Sequence, residues 1–334
     1  ALAGTALLGV VIFLDDYLNN LAVGTTMKGI TDRLGIPRTQ LAYVVNSVAA
    51  PVCILIPLST WAAYFAVLMK GEGVTVGGSG MAAYYQAIPL TFYAWIMVII
   101  VALHGLGGVP KIGAIKRDAK YTEETGDVFP ASGGVAASSG EVQTADDIPA
   151  DTKVHPWNFL VPLVVMIAVT LLLDKQVLYG ALASVVVAFF LYLIQGKLKF
   201  GDLLTGCFDG VLSMGFVLCL SVLAFSVQAA NNDLGLADYI IDLTLQIMKG
   251  AFLPAVVFIV CGMYAYATGC CWDLAAIIMP LVIPLANAMG VDPILASAAV
   301  FSGATLGSNT CLYGDGVIMC AQGGEIKSIN LMFA

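Results

Sequence analysis

Residues Leu2 to Met27 form an apolar run of membrane-spanning length, broken by two adjacent carboxylates, Asp15 and Asp16, with Asn19 and Asn20 close behind. A carboxylate at bilayer depth costs about 2.5 to 3.5 kcal/mol on insertion scales. Local packing does not return that much, so a fold that buries this pair must supply a cation, a proton or a water-filled cavity. The remaining apolar runs, 41–69, 81–104, 157–173, 176–194, 203–230, 251–288 and 294–320, are helix-length, and several are interrupted by Pro, Gly or polar residues. With 60% hydrophobic and 11% charged residues and a mean hydropathy of +0.92, the chain is predicted to be a polytopic all-α membrane protein. The short alternating segments of an outer-membrane barrel are missing.

Composition narrows the partners. The net charge of −8 provides no basic face for nucleic acid. All eight cysteines lie in apolar segments and read as small packing residues, and no spaced Cys/His set calls for a resident metal or cofactor. The first apolar run starts without an initiator Met or a basic flank, so the chain reads as a piece of a longer one.

Residues 105–155 begin with Lys111, Lys116, Arg117 and Lys120 and continue rich in Gly, Ser, Ala and acids. They read as a solvated cytoplasmic linker between a first half, 1–104, and a second half, 156–334. A shift of 255 positions lays Leu34-Gly35-Ile36 on Met289-Gly290-Val291 and Asp15-Asp16-Tyr17 on Cys270-Cys271-Trp272. The link at 28–40 carries Lys28, Arg33 and Arg38, whereas 287–293 has no Lys or Arg, so the two links are expected on opposite sides. That parity requires inverted-topology repeats. Each would hold a re-entrant hairpin, with tips at Asp15-Asp16 and at 269–273, followed by a discontinuous helix, broken at Pro51 and Pro57 or near Asn309. The segment 231–250, with Leu236, Tyr239, Ile240, Leu243 and Ile247 at helical spacing, reads as an interfacial helix.

Irregular backbone inside a membrane must be buried or line a cavity. The four breaks offer Asp15, Asp16, Asn19 and Asn20; Asn46, Ser47, Ser59 and Thr60; Thr268 and Asp273; and Ser308, Asn309, Thr310 and Asp315. Their oxygens are the hard ligands that Na⁺ wants, with Asp15, Asp16, Asn46, Asn309 and Asp315 as the expected metal ligands and Asn19, Ser47, Thr60, Thr268, Asp273 and Ser308 around them. Two adjacent buried carboxyls titrate as a coupled pair and hold a proton unless a cation displaces it. Competition between Na⁺ and H⁺ for one site is the minimal chemistry of antiport.

Phe13-Leu14-Asp15-Asp16-Tyr17, the stretch from Leu41-Ala42-Tyr43 to Ala49-Ala50-Pro51-Val52, Ser59-Thr60-Trp61, Ala267-Thr268-Gly269-Cys270-Cys271-Trp272 and the stretch from Gly303-Ala304 to Tyr313-Gly314-Asp315 together resemble the NhaC-type sodium/proton antiporters. The resemblance implies secondary transport driven by Na⁺ or H⁺ through an elevator-like movement, with no enzymatic activity. It further implies a multi-pass protein of a prokaryotic plasma membrane, embedded in lipid and assembled as a homodimer. Typical members of that family carry Asp where Asn46 stands and Gly-Asp-His or similar where Gly307-Ser308-Asn309 stands. That departure keeps open a second reading, Na⁺- or H⁺-coupled transport of an amino acid or carboxylate. An intramembrane aspartyl protease dyad of Asp16 and Asp315 would leave the Asp15-Asp16 adjacency and the paired breaks unused.

Overall fold

The computed structural model describes residues 1–132, 157–172, 177–196, 200–213, 234, 249–269 and 271–332. All regular elements in these ranges are helical. They are α1 (Leu2–Val11), α2 (Asp16–Arg33), α3 (Arg38–Leu55), α4 (Thr60–Gly71), α5 (Gly80–Ala87), α6 (Phe92–Gly105), α7 (Gly113–Thr125), α8 (Trp157–Leu172), α9 (Val177–Ile194), α10 (Phe200–Ser213), α11 (Leu253–Thr268), α12 (Trp272–Ala288), α13 (Pro293–Thr310), α14 (Asp315–Gly323) and α15 (Ser328–Met332). Two compact units contain them: Ala1–Glu141 with Ala224–Ala334, and Val142–Leu223. In the second unit α8 packs on α9, and Gln195 Nε2 donates to Asn158 Oδ1 at 2.7 Å. The expected interfacial helix at 231–250 lies, but for its last residues, outside the described residues, as does the linker from 133 to 155.

All four expected breaks are present. The fourth falls two residues later than expected, after Thr310, leaving Asn309 in the last turn of α13. The first break separates α1 from α2 at Ile12–Asp15, where the Asp15 carboxylate caps α2 by accepting from Tyr17 N and Leu18 N at 3.0 and 3.1 Å. Pro51 sits inside α3 without ending it. Pro57 lies in the gap before α4, where Ser59 caps the new helix by accepting from Ala62 N, and the pair bends by 45°. The run 81–104 differs from the plain span expected of it. Pro89 lies in a 3₁₀ turn, Ile88–Leu90, and the chain bends by 52° before α6. Thr91 Oγ1 and Trp95 Nε1 satisfy the Ile88 carbonyl at 2.7 and 3.1 Å.

The shift of 255 positions reproduces the element boundaries. It carries Arg38 and Leu55, the ends of α3, onto Pro293 and Thr310, the ends of α13, and Thr60, the start of α4, onto Asp315, the start of α14. Gly35 and Gly290, which follow α2 and α12, share a left-handed backbone (φ 63° and 69°) that only glycine adopts without strain. The packing obeys the same relation. α2 packs on α14 and α12 on α4, and each pair maps onto the other.

One core joins the two halves. Phe65 of α4 stacks on Phe301 of α13 (4.0 Å, 10°), with Tyr84 beside both. α11 and α13 approach closely along a seam of small residues, Gly262, Gly303 and Gly307. Leu7, Ile96, Ile99, Val256, Ile259, Val260 and Met263 are exposed, as lipid-facing positions are. Among the described residues only Gly250–Thr268 is long and apolar enough to cross a membrane as one helix, and the α3/α4 and α5/α6 bent pairs qualify when each counts as a single span.

The first part of the expected solvated linker is folded. Ala114, Ile115, Asp118, Ala119 and Thr122 form the buried face of α7, which the intervening Lys116, Arg117 and Lys120 mask in the sequence. Arg38 N donates to Val128 O at 2.9 Å, and the Arg38 guanidinium lies 4.3 Å over the Phe129 ring. Arg38 also pairs with Asp32 (2.8 Å) and, together with Lys28, with Glu325 in the turn after α14. Burial opposes ionisation of Glu325, but its bonds to Lys28 and Arg38 outweigh that and hold the carboxyl below its usual range. A carboxyl depressed on folding stabilises above its unfolded pKa of about 4.3 and loses that contribution as the pH falls through its folded value. Thermal unfolding of the purified protein is therefore expected to show an acid-limb decline that is shallower in Glu325→Gln.

Candidate functional site

Asp15 and Asp16 do different work. Asp15 is the half-exposed cap of α2, its Oδ1 taken by two backbone N–H groups while Oδ2 accepts from Thr60 Oγ1 at 3.2 Å. Thr60 N also donates to Leu14 O at 3.0 Å, so the start of α4 is bonded to the first break. Asp16, the first residue of α2, is buried, and its Oδ1 accepts from Trp61 Nε1 at 2.8 Å. A Cβ added to Gly316 would lie 3.7 Å from Asp16 Oδ2 and 3.2 Å from Asn20 Nδ2, so the first turn of α14 is set directly against the carboxylate. Asp16 thus lies in the first turn of α2 and beside the first turn of α14.

The asparagines divide. Asn19 donates through Nδ2 to Gly9 O and Ile12 O at 2.7 and 2.8 Å, satisfying the frayed end of α1. The Oδ1 atoms of Asn19 and Asn20 are buried without a hydrogen-bond partner. Buried orphan acceptors are uncommon and point to a missing donor, water or cation.

A second polar group lies at the end of α13. Asn46 Nδ2 donates to Asn309 O at 3.0 Å, and Asn309 Nδ2 approaches Tyr93 Oη at 3.4 Å. Asn46 therefore spends its donor on a carbonyl freed by the helix break. The carbonyl of Ile54, which the 255 shift relates to Asn309, accepts from Tyr84 Oη at 2.6 Å. Ser47 and Ser308 are buried close by in sequence. Thr268 is exposed, and its hydroxyl bonds back to Tyr264 O at 2.9 Å within its own helix. Asp273 and Asp315 stand in the first turns of α12 and α14, the first next to Trp272 and the second next to Gly316; their side chains lie outside the described residues.

Reading the sequence missed the aromatic residues that frame the aspartates. Trp61 is fully buried and packs on Trp272 (centroids 4.9 Å) and Phe65 (5.7 Å). Trp272 opens α12 at the second break, its carbonyl accepts from Tyr64 Oη at 2.8 Å, and its indole N–H meets Tyr17 Oη at 3.4 Å. Tyr17 and Trp272 are 255 residues apart, so counterparts in the two halves touch. The detectable signal was a Trp beside a helix break, since a buried indole N–H must find an acceptor.

The family model described as the Na⁺/H⁺ antiporter family matches residues 52–334, from within α3 to the end of the chain. An uncharacterized protein of Haemophilus influenzae is 25% identical over 341 residues, an alignment covering 96% of this chain and 64% of the relative. The chain thus spans a little under two thirds of the length of that relative. No solved structure matches. With more than four fifths of its 334 residues, 52–334, under the family model, the chain belongs to the Na⁺/H⁺ antiporter family.

Proposed function

We propose that this chain forms the ion-binding part of an NhaC-like secondary transporter of a prokaryotic plasma membrane, exchanging Na⁺ for H⁺ at Asp15 and Asp16. The observation that carries the reading is a buried carboxylate, Asp16, placed at a helix break beside a second carboxylate, Asp15, with unpartnered amide oxygens nearby. A cation satisfies these oxygens in one state, and a proton shared by the pair does so in the other. Thr60 completes the first-half shell through Asp15, and Asp315 stands in the first turn of α14. Asn46 and Asn309 support the break in α13, and Asp273 stands by the second tip.

The two halves act as inverted-topology repeats. This is supported by the shared element boundaries, by the exchange of the α2/α14 contact with α12/α4, and by the Tyr17–Trp272 contact, which is what a two-fold axis between the halves produces. Movement of the hairpin-bearing unit across the bilayer then carries the site from one face to the other.

The test is flux in proteoliposomes holding the whole protein and a trapped pH dye. An inward Na⁺ jump is expected to alkalinise the lumen, with no requirement for an amino acid or carboxylate. A lumen that stays at its starting pH, or responds only when an organic solute is added, overturns the reading.

A further inference from the structure

The Asp16 carboxylate has two unequal oxygens. Oδ1 is held by the Trp61 N–H at 2.8 Å, while Oδ2 faces the spot beside Gly316 where a side chain is lacking and where Asn20 Nδ2 also lies. Asn20 sits one turn along α2 from Asp16, is buried, and has no hydrogen-bond partner for Oδ1. The Trp61 ring is not free to turn away. It is packed between Trp272 and Phe65, and Trp272 is itself tied to Tyr64 and Tyr17.

We infer that Trp61 is a positioning residue of the ion site, its N–H fixing Asp16 Oδ1 so that Oδ2 is left to meet a bound Na⁺. The inference rests on the ion-site reading of Asp16. A carboxylate held in one orientation before the ion arrives loses little freedom on binding, and its second oxygen need not be recruited from another conformation. Trp61 also connects the two halves: it bonds Asp16 in α2 and stacks on Trp272 at the start of α12, so displacement of the carboxylate alters the indole environment at the second break.

The experiment uses the full-length protein in lipid nanodiscs, with Na⁺ binding measured by calorimetry at one fixed pH and flux measured in proteoliposomes. Trp61→Phe removes the donor. Replacing Trp61 by 3-benzothienylalanine, which has sulfur in place of N–H and the same outline, removes the donor without changing the packing. Both are expected to raise the Na⁺ Kd and KM about tenfold, the scale of one hydrogen bond to a charged group, and to leave kcat unchanged. In a variant in which every tryptophan but Trp61 and Trp272 is replaced by Phe, Na⁺ is expected to change the emission of these two. Asp16→Asn is expected to abolish both binding and the fluorescence response. If the benzothienyl protein binds Na⁺ with wild-type Kd while Asp16→Asn does not bind, the positioning role is overturned and the ion site stands. If Asp16→Asn binds as wild type, the ion-site reading itself fails. Should Trp61→Phe not fold, the benzothienyl protein alone decides.

Discussion

Asp16→Asn is expected to reduce Na⁺-driven proton flux in proteoliposomes to the background of protein-free vesicles. The substitution is nearly isosteric, and its side-chain oxygen can still accept from Trp61 Nε1, so the fold is expected to persist. What disappears is the buried negative charge that a cation neutralises and the second oxygen that faces Asn20 and Gly316. Asp15 provides the contrast. It caps α2, and Asn caps a helix about as well as Asp, so Asp15→Asn is expected to keep the fold and weaken Na⁺ binding without abolishing it. Asp15→Ala removes the cap too and is expected to cost about 1 kcal/mol of stability in addition. Equal loss of flux in Asp15→Asn and Asp16→Asn would show that the two carboxylates act as one group. Wild-type flux in Asp16→Asn would remove that carboxylate from the mechanism.

Gly307→Ala is expected to have the largest effect on folding. A Cβ there would lie 2.5 Å from Gly262 O and 2.6 Å from Tyr266 N, both backbone atoms of α11 that cannot swing aside. Gly303 meets the same helix, with its Cβ position 2.6 Å from Phe258 O. Overpacking usually costs about 1 to 3 kcal/mol when neighbours can shift. Here the helix axes must separate along the whole seam, so the yield of monodisperse protein in fluorescence-detected gel filtration is expected to fall sharply, and Gly307→Leu should give none. Gly29→Ala is the control. It stands inside α2 with nothing within 4 Å of the added carbon, and helix propensity alone favours the change by about 1 kcal/mol. A wild-type elution profile for Gly307→Ala would mean that α11 and α13 do not meet as described.

Much of the architecture could be read from the residues because a membrane punishes irregular backbone. The breaks at Asp15, Pro57 and Gly269 stood out as polar or helix-breaking residues inside apolar runs, and the 255 shift, weak in its identities, matched boundaries at 38, 55 and 60. Proline alone was ambiguous. Pro51 continues a helix buried on nearly all sides, whereas Pro89 lies in the 3₁₀ turn that ends one, where Thr91 and Trp95 donate to the Ile88 carbonyl. The folded face of α7 was hidden by the lysines and arginine between its buried positions. At the site, the aspartates were visible as a cost that needed explaining, whereas the signal of Trp61, an indole N–H beside a helix break, is weaker than that of a buried charge. Asn46 was expected as a ligand through its amide oxygen, and its Nδ2 in addition closes the end of α13, a role its residue type does not announce. Only three-dimensional pairing distinguishes those roles.

The Lys28–Glu325–Arg38–Asp32 network, which joins the two halves, has no copy related by the 255 shift among the described residues. Moved by 255 positions, Lys28, Asp32 and Arg38 become Ile283, Asn287 and Pro293, and Glu325 falls back on Lys70, which pairs with no carboxylate among the described residues. In the proposed reading, charge clamped at one end of two otherwise like halves biases which face the site rests towards, and electrolyte on that side alone is expected to loosen the clamp.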